Sequence, residues 1–174
     1  LYQKDKIIQN AIILYLKKIL RYLDVQDPRP EYEKDIWNLE KIEQIVYKKN
    51  PIRNVMRLNF TGITQVQIRE EVKQAIYVEL RHNCLETVLT ELTAMRRFSK
   101  FLKERRPNIQ DLKDLRRSDI ESYLIYLNTE FQRIKCFRSE LCHLKTVLEV
   151  SAKIIECPTL NSLFLNGDIP RGKK

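Results

Sequence analysis

The residues with the plainest chemical signature are cations at helical spacing. In the stretch 87–104, Thr90, Arg97 and Lys100 fall on one face, Arg96 and Lys103 flank it, and Thr87 stands at its start. In the stretch 135–155, Lys135, Arg138, Cys142 and Lys145 form a comparable row. Two such rows on neighbouring helices have the chemistry to neutralise nucleic-acid phosphates. The same rows also read as solvated faces with acid–base neighbours, such as Glu91 with Arg96 and Glu149 with Lys153. Spacing leaves both readings open, because each row needs a partner helix to reach a common surface.

Signals for catalysis are sparse. Neither His82 nor His143 lies in an H-E-x-x-H or H-x-x-R motif, since Thr146 stands three residues after His143. No serine occupies a nucleophile elbow. With 3 glycines in the chain, a Gly-rich phosphate loop is excluded. His82, Cys84, Cys136, Cys142, His143 and Cys157 offer zinc-type donors, but their spacing matches no known finger. No cofactor or metal is expected, and the cysteines read as reduced, mostly buried thiols of a cytosolic protein.

These residues must be carried by helices. Residues 4–23 place Ile8, Ile12, Tyr15, Ile19 and Leu23 in a stripe flanked by further apolar residues, so this helix is expected to pack on two sides. Asp27-Pro28-Arg29-Pro30 breaks the chain. A second helix is expected from 31 to 49, with Ile36, Leu39, Ile42, Val46 and Tyr47 inward, and residues 52–60 alternate weakly as an extended piece. Thr64-Gln65-Val66-Gln67 reads as a capping box opening a helix to about His82, with Ile68, Val72, Ile76 and Leu80 in line.

The next helix, about 87–104, has the stripe Val88, Leu92, Met95, Phe98 and Leu102, and Pro107 stops it. A connector follows with Ile109, Leu112 and Leu115 tucked inward. Ser118-Asp119-Ile120-Glu121 reads as a second capping box, leading a helix that buries Ile120, Tyr123, Leu124 and Leu127. The last long helix, about 135–155, buries Phe137, Leu141, Leu144, Leu148 and Ile155. A short helical turn is expected at 161–164, and Asp168-Ile169-Pro170 reads as an exit linker. The fold class is all-α, with a boundary near 50–63 between an N-terminal helix pair and a C-terminal bundle.

Composition agrees with a folded domain. The chain has 174 residues, 43% hydrophobic and 32% charged, and a net charge of +9 spread evenly over both halves. That field favours a polyanionic partner, nucleic acid first. The longest apolar stretch, Ile7 to Leu16, is too short to span a bilayer, and no secretory cleavage site follows it. The start at Leu1 and the finish in Arg171-Gly172-Lys173-Lys174 read as a piece cut from something longer.

Residues 64–170 resemble the core-binding domain of tyrosine recombinases, the phage-integrase-like family that includes Xer-type recombinases and some transposases. "ETVLTELTAMRRFSKFLKER" is similar to the family's first helix, with Thr87 at the cap and Phe98, Phe101 and Leu102 at its end. "IQDLKDLRRSDIESYLIYL" resembles the connector and second helix, with Asp119-Ile120 leading into Tyr-Leu. "FRSELCHLKTVLEVSAKI" is similar to the helix carrying Leu141, Leu144 and Lys145. "LFLNGDIPRGKK" resembles the linker to the catalytic domain, and "FTGITQVQIREEVKQAIYVEL" the lead-in helix of transposase-like members.

The resemblance implies an integrase core-binding (SAM-like) bundle over 61–170, an N-terminal helical extension over 1–60, and the start of a linker at 171–174. It implies half of a C-shaped clamp on double-stranded DNA, with no catalysis by this fragment. Tyr123 and Tyr126 would not be the nucleophile. Thr87 and Thr90 would fix a helix on phosphates. Arg96, Arg97, Lys100, Lys103, Lys135, Arg138 and Lys145 would neutralise backbone charge, some reaching base edges. A homo-oligomer on DNA, in the bacterial cytoplasm and without a membrane partner, is the expected setting. The alternative is a helical protein–protein or oligomerisation module, favoured by the wide apolar cover of 4–23.

Overall fold

Five stretches with apolar residues every three to four positions become five α-helices, and the computed structural model describes residues 2–42, 57–130 and 137–170. The helices are α1 (Tyr2–Gln26), α2 (Val66–His82), α3 (Leu85–Arg105), α4 (Arg117–Glu130) and α5 (Phe137–Ile154). The fold is all-α, with one small antiparallel sheet, β1 (Ile36–Asn38) and β2 (Arg57–Asn59).

The chain divides into two units, Leu1–Pro30 and Glu31–Lys174. The second unit thus begins at Glu31 and not near residue 60. The reason is Trp37, Leu39 and Ile42, which are all buried in its core. Residues 31–42 do not form the expected helix. They make a 3-10 turn (Glu31–Glu33), then β1, then a second 3-10 turn (Leu39–Lys41). The strand register pairs Ile36 with Asn59, Trp37 with Leu58 and Asn38 with Arg57. Alternation therefore buries Trp37 and turns Ile36 outward. The Trp37 indole packs 4.6 Å from the Phe60 ring and donates to the Lys34 carbonyl at 2.8 Å. Val46 and Tyr47 lie outside the described residues.

The core of the second unit follows the expected stripes closely. Ile68, Val72 and Ile76 of α2, the five stripe residues of α3, and Leu141, Leu144 and Leu148 of α5 are all buried. So are Ile109, Leu112 and Leu115 of the connector. Leu124, Phe137 and Ile155 are only half-buried. Helices α2, α3 and α5 pack on one another, and the terminal 3-10 turn Pro158–Ser162 closes over α5.

Both expected capping boxes differ from what forms. The N-cap of α2 is Gln65, without a side-chain cap. The Thr64 amide donates to Ser99 Oγ at 2.9 Å, and Gln65 Nε2 to the Ser99 carbonyl at 3.2 Å, so this helix start is pinned to α3. In α4 the frame moves by two residues. The Asp119 carboxylate, not Ser118, does the capping, accepting the Arg116 amide at 2.9 Å.

Candidate nucleic-acid interface

The two cationic rows lie on α3 and α5, and those helices pack directly together. Their seam is tied by one polar network. The Arg97 guanidinium on α3 donates to Glu140 Oε2 on α5, and Tyr123 Oη on α4 donates to Glu140 Oε1 at 2.7 Å. Glu140 is buried, whereas about half of the Arg97 side chain stays exposed. A buried carboxylate needs such partners, because an uncompensated charge in the interior is costly. Burial, then the Glu140 charge and hydrogen bond, drives the Tyr123 phenol well above its ordinary range. Phe98 and Phe101 pack their rings 5.0 and 5.1 Å from Tyr123, which fixes the phenol in place.

The other expected site residues divide by what holds them. Lys100 lies 3.9 Å from Glu104, and Lys145 lies 3.7 Å from Glu149, each one helical turn apart. The Lys100 pair is exposed and the Lys145 pair half-buried, and surface pairs of this kind contribute little. Lys103 and Arg138 are exposed and have no ion pair among the described residues. The Thr90 hydroxyl donates to the Glu86 carbonyl at 2.9 Å, and Thr87 Oγ1 lies 3.1 Å from Cys84 Sγ. Arg96 is engaged elsewhere: its guanidinium donates to the Asn59 carbonyl at the end of β2. Its stem runs across Gly62, where a Cβ would stand 3.0 Å from Arg96 Cδ. Burial lowers the Arg96 pKa from its ordinary value. Lys135 lies outside the described residues.

A second ionic tie flanks the α5 row. Arg117, at the start of α4, grips Asp168 with both terminal guanidinium nitrogens, Nη2 donating to Oδ1 at 2.8 Å, and Nη1 also donates to the Leu163 carbonyl at 2.7 Å. Asp168 also accepts the Leu165 amide at 2.7 Å. The Arg117 guanidinium, with smaller help from that amide and Lys145, holds the Asp168 carboxyl below the usual range. The expected exit segment is therefore fastened to α4 beside the cationic row.

Glu140, Tyr123 and the Arg117–Asp168 pair were absent from the expected site. Glu140 had a signal: it falls among Phe137, Leu141 and Leu144, on the apolar stripe, where an acid must find a partner. The identity of that partner is set only by tertiary packing. Among the described residues no group of His, Cys, Asp or Glu is arranged to hold a metal ion. Cys84 is exposed, contrary to the expected burial, and Cys142 and Cys157 are half-buried free thiols. Cys136 lies outside the described residues.

Two curated relatives bear on this surface. The chain is 25% identical over 114 residues to "Transposase B from transposon PsiTn554" of Staphylococcus aureus, a match covering 65% of this chain and 18% of that protein. It is 26% identical over 98 residues to "Transposase B from transposon Tn554" of Staphylococcus aureus strain Mu50, covering 56% and 16%. The matched stretch thus spans less than a fifth of the length of these relatives. Over the matched stretch the chain is similar to these two transposases. No protein-family profile and no solved structure matches it. No helix of the described residues is long and apolar enough to cross a membrane.

Proposed function

We propose that the unit following Pro30 grips duplex DNA through phosphates, as the core-binding half of a clamp in a tyrosine-recombinase-type transposase. The observation that supports this reading is that α3 and α5, which carry the cationic residues, pack directly on one another. Similarity to Transposase B supports the recombination setting, and the net charge of +9 supports the polyanionic partner. In this reading Lys100, Lys103, Arg138 and Lys145 meet phosphates, and Lys135 is proposed to do the same. Thr87 and Thr90 stand in the first turns of α3. Arg97, expected at a phosphate, is instead committed to buried Glu140 and braces the seam, and Arg96 serves the β2–α2 turn. These residues bind and do not cleave, and the setting is the bacterial cytoplasm, on the nucleoid.

The test separates binding from folding. Lys100→Glu with Arg138→Glu leaves the seam intact, so thermal unfolding should stay within a few degrees of wild type. Duplex affinity should fall at least about tenfold at moderate salt, since two phosphate contacts become repulsions. Arg97→Ala should lose both affinity and stability, because it strips a partner from buried Glu140. Unchanged duplex retention by the double reversal would remove the phosphate grip.

A further inference from the structure

Helix α1 lies in a unit of its own, Leu1–Pro30, and residues 11–23 of it are all exposed, most of them apolar. Nine large hydrophobic side chains between residues 12 and 23 are open to solvent, from Ile19 at 37% to Tyr15 and Tyr22 at 66%. At roughly 150–250 Å² per large side chain, they present on the order of 1,000 Å² of surface. A single monomer rarely leaves that much apolar area in water. It matches the roughly 800 Å² that one partner contributes to a stable interface.

The spacing says what shape would cover it. Ile12, Tyr15, Ile19 and Tyr22 follow steps of three, four and three, the seam of a helix that packs against another helix. Ile13, Leu16, Leu20 and Leu23 repeat the same steps. At 100° per residue the second seam lies about a quarter-turn around the helix from the first. Lys17, Lys18 and Arg21 occupy the side opposite both seams and are exposed. A helix built this way touches two neighbours and keeps its cations outward.

The rest of the described residues offer no counterpart. On the second unit the exposed large hydrophobics are Tyr32, Ile36, Val66, Ile125 and Leu165, single side chains on separate elements. Among the described residues, the apolar surface of matching size and pattern is that of α1 itself, on a second copy of the chain. A helix lying flat in a lipid surface is the competing occupant of this face, and flotation with vesicles separates the two. We infer that α1 joins copies of this chain into a bundle of three or more helices, independently of DNA.

Sedimentation of the full chain without DNA tests this across a wide concentration range. Wild type should reach the mass of three or more copies. Ile19→Glu should disable one seam and Leu20→Glu the other, each holding the assembly at pairs. The double variant should sediment as single chains, with the thermal unfolding of the second unit and duplex affinity per chain unchanged. A wild-type mass of one or two copies at all concentrations overturns the inference. So does a double variant that retains the assembled mass. Flotation of wild type with phosphatidylglycerol-containing vesicles, its mass in solution staying that of one chain, would overturn it in favour of a lipid partner.

Discussion

The residues that govern this interior are carboxylates placed on apolar stripes. Glu91 shows the consequence. It sits on the α3 stripe, is buried, and its Oε2 has no hydrogen-bond partner among the described residues. Glu79 of α2 stands nearby, itself buried and held by the Asn83 side chain, and His143 Nδ1 of α5 is 3.9 Å from Glu91 Oε1. Burial first, then the Glu79 charge, pushes the Glu91 carboxyl up to about 7. The folded state therefore holds a proton that the unfolded chain releases near its ordinary 4.5. Stability from this group is full below that value and is lost as pH rises through about 7. Glu91→Gln keeps the shape without the charge. Its gain over wild type in denaturant unfolding should be larger at pH 8 than at pH 5, by roughly 2–3 kcal/mol. An equal difference at both pH values would mean that Glu91 is ionised in the folded protein throughout. Spacing in the sequence reads Glu91 as a solvated neighbour of Arg96, whereas the structure buries it on the α3 stripe. Spacing could not show that Glu140 finds a phenol and a guanidinium while Glu91 finds only an imidazole at 3.9 Å.

At the scale of elements, helices in the second unit were legible because burial there has one period and few interruptions. Val88, Leu92, Met95, Phe98 and Leu102 announce α3 without help from tertiary contacts. Residues 31–42 were not legible. Ile36, Leu39 and Ile42 keep helical spacing, yet the side chain that decides the segment is Trp37, which needs Leu58 and Phe60 from beyond residue 56 to bury it. Such long-range pairing leaves no local trace. The end of α5 was half legible. Pro158 forbids continuation, but the turn itself is made at Glu156, which holds a left-handed φ of 53° so that the Cys157 amide reaches the Ala152 carbonyl at 2.9 Å. Glycine is the residue suited to that conformation, and an acid is also poorly placed at a helix C-terminus. Glu156→Gly should therefore raise unfolding free energy by about 0.5–1 kcal/mol, measured by denaturant titration. A loss of stability would show that the exposed Glu156 side chain contributes more than its strain costs.

For the whole molecule, the two proposed associations respond to salt with opposite signs, and that separates them. A duplex held by six to eight phosphates releases counterions, so the logarithm of its affinity should fall with the logarithm of salt at a slope of roughly −5 to −7. Between about 50 and 200 mM salt this amounts to a thousandfold loss or more. The α1 bundle has the reverse dependence. Its seams are apolar, and Lys17, Lys18 and Arg21 of neighbouring copies repel across the outside, a repulsion that salt screens. Sedimentation of the full chain with a labelled duplex reads both quantities in one titration. The label should leave the protein as salt rises, while the protein keeps or increases its assembled mass. A slope near zero would end the phosphate grip and leave α1 untouched. An assembled mass that falls together with the duplex would mean that DNA, and not the apolar seams, brings the copies together.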